Sequence, residues 1–584
     1  MKKRRKQQNR RFIAVVVGGA AIALIAGGFI GYLLSDRQGV GDVKMPPGAD
    51  VLPQDVVMAV SVATDTTQWR RLRALGTPAS RAQLEAQVAR WRDRFFTQNG
   101  VDYQQTIAPW VGSEMTLAML PLPDDAAVEA PTPPPTAETP DAEDDAAPTE
   151  ETAPTDNFLA LNAQRPMVMV LPIADVEQAQ QRLAQIAPGN SPPQTREYKG
   201  IEVREFTGVG DRTTAAAVIE DRYVVLATES QAIDQVIDHY RGAPPLEQVP
   251  TYREAFRDIA TSQSVARIYL NGPQVKQLVS ENSAQPAPLL GLSPIQRNQG
   301  VALNIALEPE GLRIRGMGWL PVDSDYRYSV ANRAGELLSL LPSDTLMVAA
   351  GGNLKEFWES YSQLPVVNPR NPFNPNTLQE GLLATTGLNL NQDLLSWMDG
   401  EFAIALVPVN AGTPEAQTGF VVAVESSDRA NAENTLKRLD DTMGNRYRYQ
   451  VSAAEVSGQP VVNWVSPFGS LSVTHGWLNQ RTAFLALGAS MVNTLLPTPQ
   501  TPLASSELVE TTRSPDLQAN NGQFFVDLER LRASGDALPL PQLPPEADAL
   551  WEAMRRIGVT AAIRSDRTTH FDIRILMQRR GNAS

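Results

Sequence analysis

The tetrapeptide Leu52-Pro53-Gln54-Asp55 returns as Leu341-Pro342-Ser343-Asp344, and each copy opens a long segment whose later landmarks also recur. Trp110-Val111-Gly112-Ser113-Glu114 is answered by Trp397-Met398-Asp399-Gly400-Glu401. Met167 to Leu171 with Asp175 is answered by Phe420 to Val424 with Asp428, and Arg222 to Ala227 by Arg481 to Ala486. Ile268-Tyr269-Leu270-Asn271 matches Phe524-Phe525-Val526-Asp527, and Gly300-Val301 matches Gly558-Val559. The displacement is about 287–289 positions for the first landmarks and about 253–259 for the later ones, a single step in an ordered series. A chain that writes one pattern twice must satisfy that pattern twice. Two copies fall short of the three or more that a solenoid needs, so each is expected to be a self-sufficient domain.

Within each copy, short apolar runs bounded by turn residues outnumber helical patterns. Val56 to Val62, Met115 to Leu120, Tyr223 to Ala227, Val301 to Leu307 and Leu312 to Leu320 read as strands. Leu84, Val88, Trp91 and Phe95 mark one face of a helix, as do Ile233, Val236, Ile237 and Tyr240. The expected fold class is α+β, with two related domains of mostly antiparallel sheets and flanking helices, plus one N-terminal transmembrane helix. The repeats are expected over 51–322 and 335–580. Between the strand-like runs Met115 to Leu120 and Met167 to Leu171 of the first repeat, the stretch 124–156 holds eleven acidic residues, no basic ones and seven prolines. It cannot bury enough apolar surface to offset its ordering entropy and is expected to be a disordered loop.

The N-terminus fixes a second constraint. Residues 1–11 form a basic tail with Lys2, Lys3, Arg4, Arg5, Lys6, Arg10 and Arg11, and the run 12–34 carries no charge. Its 23 residues suffice to span a bilayer core as a helix. It is longer than a signal-peptide core, and Gly31-Tyr32-Leu33-Leu34-Ser35-Asp36 is a poor cleavage site, so an uncleaved anchor is expected. The basic flank keeps the N-terminus cytoplasmic and sends the bulk of the chain across the membrane after a tether at 35–50. The partner of 12–34 is therefore the lipid bilayer, and Gly27 and Gly31 form a small-xxx-small pair that would allow a homodimer.

No reactive constellation stands out. Cysteine is absent, which removes thiolate chemistry and disulfides. The net charge of −14 argues against nucleic acid as a partner. His239, His475 and His570 have no neighbour at metal-ligand spacing and read as surface or packing residues, and Asp440-Asp441 reads as a solvent-facing helix end. Gly208-Val209-Gly210 and Gly316-Met317-Gly318 lack the rest of a dinucleotide loop and read as a turn and a strand, and Gly488-Ala489-Ser490 lacks the closing glycine of a nucleophile elbow. Asp55/Asp344 and Glu114/Glu401 recur and are read as structural: Asp bonds local backbone N–H groups at a turn, Glu closes a loop before a strand. The expected catalytic, metal and cofactor sets are empty. The candidate binding residues are Arg370, Asn371 and Phe373, in a Pro/Asn-punctuated loop.

Together with Leu52-Pro53-Gln54-Asp55 and the anchor, Thr64-Asp65-Thr66-Thr67-Gln68-Trp69, Leu75-Gly76-Thr77-Pro78, Asp102-Tyr103 and Pro109-Trp110-Val111-Gly112 carry a family likeness. The chain resembles a cyanobacterial membrane-anchored family known only as domain-of-unknown-function family 3352, over nearly all of the region after the anchor. The resemblance implies a plasma- or thylakoid-membrane protein with its bulk in periplasm or lumen, and brings no catalytic residues. The functional expectation is a non-enzymatic protein-binding or scaffolding component. A carrier of a lipid, pigment or other apolar ligand is the second reading and a hydrolase the third.

Overall fold

The computed structural model describes residues 44–96, 102–122, 165–183, 194–207, 213–262, 264–281, 297–328, 331–362, 375–409, 417–469, 471–488, 490–534 and 545–579. The basic tail, the span 12–34, the acidic loop 124–156 and the binding residues Arg370, Asn371 and Phe373 lie outside them. Among the described residues no helix is long and apolar enough to cross a membrane.

The first ten strands are β1 (Met58–Ala63), β2 (Glu114–Met119), β3 (Met167–Pro172), β4 (Gln194–Tyr198), β5 (Ile201–Thr207), β6 (Thr213–Ile219), β7 (Tyr223–Ala227), β8 (Ser264–Asn271), β9 (Gly300–Glu308) and β10 (Gly311–Trp319). The next ten are β11 (Met347–Gly351), β12 (Phe402–Val409), β13 (Gln417–Glu425), β14 (Gln450–Val456), β15 (Gln459–Val465), β16 (Ser472–Trp477), β17 (Thr482–Leu487), β18 (Gly522–Asp527), β19 (Met554–Ile563) and β20 (Thr568–Met577).

The expectation of two domains with sheets of their own is corrected here. The 20 strands of the described residues belong to one antiparallel sheet flanked by helices. The decisive ladder is β10 against β20, paired from Gly311↔Leu576 to Trp319↔Thr568. Each expected repeat ends on a strand with one unpaired edge, and pairing those edges satisfies backbone groups that would otherwise face water or another chain. The described residues group into two compact units, a smaller one comprising Pro47–Ala59 and Phe95–Leu246 and a larger one comprising the remainder.

The smaller unit runs β4-β5-β6-β7-β3-β2. Its helix Ser230–Tyr240 buries Ile233, Val236 and Ile237, the apolar stripe read from the sequence. The larger unit runs β14-β15-β16-β17-β13-β12-β11-β18-β19-β20-β10-β9-β8. The order β4-5-6-7-3-2 thus recurs as β14-15-16-17-13-12, and β8-9-10 as β18-19-20. In β11, Val348 and Ala350 enter one core with Leu337, Ala405 and Phe525, while Met347 and Ala349 enter another with Trp397, Phe402 and Phe524. Both faces are covered, which is why β11 reads as an unbroken apolar run and not as an alternating strand.

The Leu-Pro landmarks have a mechanical role. Leu52 accepts a bond from Leu246 N–H at 2.7 Å, and Pro53 bridges Pro245. Leu341 accepts from Leu503 N–H at 2.8 Å, and Pro342 bridges Pro502. All four leucines are buried.

Candidate functional site

Polar side chains concentrate along the β10–β20 ladder. Strand alternation puts Arg313, Arg315 and Met317 on one face, opposite Arg574, Asp572 and His570. Asn304 on β9 and Thr560 on β19 lie on the same face. Asp572, Asn304, Thr560 and His570 are all buried. Ile314 and Ile573, partners one step from the centre of the register, point to the other face.

Arg313 Nε donates to both Asp572 oxygens at 3.1 and 3.0 Å, and its Nη2 reaches Asp572 and Asp516. Ser514 Oγ donates to Asp572 at 2.6 Å, and the Ser514 N–H donates to Thr560 Oγ1 at 3.1 Å. Burial alone would push the Arg313 guanidinium down, but its bonds and charge pairing with Asp572 and Asp516 hold it above its ordinary range. Arg315 is shifted the other way, by burial first and by the charge of Arg313 second. It donates instead to the carbonyls of Ala260 (3.1 Å) and Asp258 (3.2 Å). The like pair Arg313↔Arg574 is relieved because Arg574 donates to Glu308 at 2.9 Å. Backbone packing is tight at the ladder's end: a Cβ on Gly311 would meet the Ile575 carbonyl oxygen at 1.8 Å, so only glycine fits.

A second polar cluster corrects the reading of Asp440 and shows how His475 is packed. Asp440, near the end of the helix Arg429–Asn445, is half-buried. Its Oδ1 accepts from Trp464 Nε1 at 2.6 Å and lies 2.8 Å from His475 Nε2. The imidazole is buried, 5.1 Å from the indole centre to centre. Asp441, by contrast, is exposed. The pair is a carboxylate–imidazole couple whose third member is an indole donor, not a hydroxyl nucleophile. A sequence signal existed in retrospect: polar His475 stands in the otherwise buried strand β16.

Glu401 is 3% exposed and accepts from the N–H groups of Gly335, Glu336 (3.1 Å) and Leu337 (3.2 Å), closing the start of the turn Leu337–Leu340. Burial outweighs those bonds, with Glu425 and Glu336 adding to it, and pushes the carboxyl up to about 7. Its counterpart Glu114 is only half-buried. The recurring aspartates behave differently from the local-bonding expectation. Asp55 is exposed, Asp344 half-buried, and neither carboxylate has a hydrogen-bond partner among the described residues. The second turn is closed by Thr345, whose N–H and Oγ1 both donate to the Pro342 carbonyl, at 3.1 and 2.7 Å. His239 Nδ1 sits 2.8 Å from the Pro244 carbonyl, and Gly316-Met317-Gly318 lies within β10. Gly208-Val209-Gly210 lies outside the described residues. Among the described residues no group of three or more His, Cys, Asp or Glu side chains is arranged to hold a metal.

The chain belongs to the family described as "Protein of unknown function (DUF3352)", whose model matches residues 15–577. A search of curated proteins finds no match. Among solved structures, crystal form III of TP0453 is similar over 48% of this chain and 82% of its own, at 8% identity and a TM-score of 0.24. Crystal form I covers 49% and 81%, at 9% identity and a TM-score of 0.25. Likeness at that level carries nothing over to this chain.

Proposed function

We propose that this protein is a single-pass, membrane-anchored platform that holds other proteins at the extracytoplasmic face of a cyanobacterial plasma or thylakoid membrane, without catalysing a reaction. The supporting observation is how the acidic groups are used. Asp572 is engaged by Arg313 and Ser514, Asp440 by Trp464 and His475, and Glu401 by three backbone N–H groups. Such carboxylates brace a framework, whereas a reactive centre needs groups aimed at an open site. The dense apolar packing on both faces of β11 weighs against an enclosed lipid or pigment. The anchor reading rests on the uncharged run 12–34 and its basic flank.

The test is affinity capture of the tagged full-length chain from its own cross-linked membranes, with proteins and lipids both identified. A 1–34 segment carrying the same tag serves as control. The expected result is a membrane-bound chain enriching a defined protein over that control. Recovery in the soluble fraction would overturn the anchor, and a co-purifying small apolar molecule with no protein would overturn the platform.

A further inference from the structure

Strands β4 and β14 hold equivalent places in the strand order, and among the described residues each is paired on one side only. β4 pairs with β5 and β14 with β15, while β3 is flanked by β2 and β7 and β13 by β12 and β17. The two free edges are built differently. β4 carries Arg196 and Glu197, and Arg196 is tied to Glu205 and Asp234 at 2.6 and 2.8 Å, the kind of charge that blunts an edge. β14 reads Gln450-Val451-Ser452-Ala453-Ala454-Glu455-Val456, with one charge and no proline or lysine.

The hairpin fixes which β14 groups are free. Ser457 and Gly458 both have positive φ, 50° and 78°, the signature of a two-residue turn between the partners Val456 and Gln459. In that geometry the flanking pair is hydrogen-bonded, so Val456, Ala454, Ser452 and Gln450 spend their backbone groups on β15. Val451, Ala453 and Glu455 then turn theirs to the open edge. Charge completes the pattern. Arg446 and Arg448 precede the strand and Glu455 stands near its end, all three exposed and none in an ion pair among the described residues. Antiparallel pairing of two such edges brings each basic end beside the other's Glu455.

We infer that the β14 edge is a homodimer surface, on which a second copy of this chain adds its own β14 antiparallel across a twofold axis. The chain already joins equivalent strands this way internally, at β10 and β20. One strand pair buries less than a standard interface, so the dimer is weak, with a Kd in the micromolar range or above. The inference does not depend on the membrane anchor or on Gly27 and Gly31.

Because the chain has no cysteine, an introduced one is a unique reporter. The experiment uses full-length protein in detergent micelles. Ala453→Cys is expected to cross-link through a short bis-maleimide several-fold more than Thr195→Cys on β4. Ala453→Pro removes an outward N–H without touching the β15 ladder, and should weaken the dimer about tenfold or more in sedimentation. Arg448→Glu should weaken it too, and Arg448→Glu with Glu455→Arg should restore it. Equal cross-linking at 453 and 195, or a charge-swapped pair no better than the single reversal, would overturn the inference. The swap keeps the test valid even if the proline variant fails to fold.

Discussion

Trp110 and Trp397 each donate the indole N–H to a carbonyl four residues earlier, Thr106 at 2.6 Å and Asp393 at 3.0 Å, and both rings are essentially fully buried. The irregular helical turns beneath them, Tyr103–Ile107 and Leu390–Leu394, are capped by Asp102 and Asn389 in the same manner. Four residues beyond each tryptophan the likeness ends. Glu401 is buried under three N–H groups, while Glu114 stays half-buried. A large ring can be held by shape alone, so both segments keep it. A carboxylate's state depends on which backbone donors face it and how much water remains. One pattern in sequence therefore yields one shared packing device and two electrostatic outcomes.

The shared part should fail equally in both places. Trp110→Ala and Trp397→Ala are each expected to cost about 3–5 kcal/mol in denaturant unfolding. A loss below about 1 kcal/mol at either would break the equivalence. The divergent part should show in the pH dependence of stability through Glu401. The Glu401 carboxyl sits at about 7 in the fold against an ordinary 4.5, so the folded chain holds the proton more tightly. Its stabilising contribution is complete below about pH 4.5 and is lost as pH rises through about 7, an effect of up to about 3 kcal/mol. Urea midpoints measured from pH 4.5 to 8 should fall for the native chain and flatten in Glu401→Gln. The same slope in Glu401→Gln as in the native chain would refute the assignment.

A smaller effect is expected at the corrected helix end. Asp440→Ala leaves the Trp464 and His475 donors unmatched and should cost about 1–3 kcal/mol, against under about 0.5 kcal/mol for exposed Asp441→Ala. Equal effects would return Asp440 to the surface role first read for it. Smallest of all, Asp55→Ala and Asp344→Ala should each stay within about 0.5 kcal/mol, since neither carboxylate is bonded. A larger loss at either would show a role that the fold does not display.

Much of the local structure was legible. Ile233, Val236 and Ile237 announced a helix because helical spacing puts them on one buried stripe, and Met167 to Leu171 announced a covered strand because both its faces are packed. The clusters were not legible for the same kind of reason. Arg313 and Asp572 are 259 positions apart, Asp440 and His475 are 35 apart, and nothing in local spacing marks residues joined only by a ladder or by a helix lying over a sheet.

The sequence by itself determined that a strand-rich pattern is written twice, because apolar alternation and turn residues act over a few positions and leave their period in the chain. Only the tertiary structure decided that the two writings share one sheet. That outcome depends on β10 and β20 presenting matched edges at Ile314 and Ile573, with Arg313 and Asp572 paired beside them. Edge pairing is made of backbone hydrogen bonds, which every residue but proline can donate, so it leaves almost no trace in the identity of the side chains.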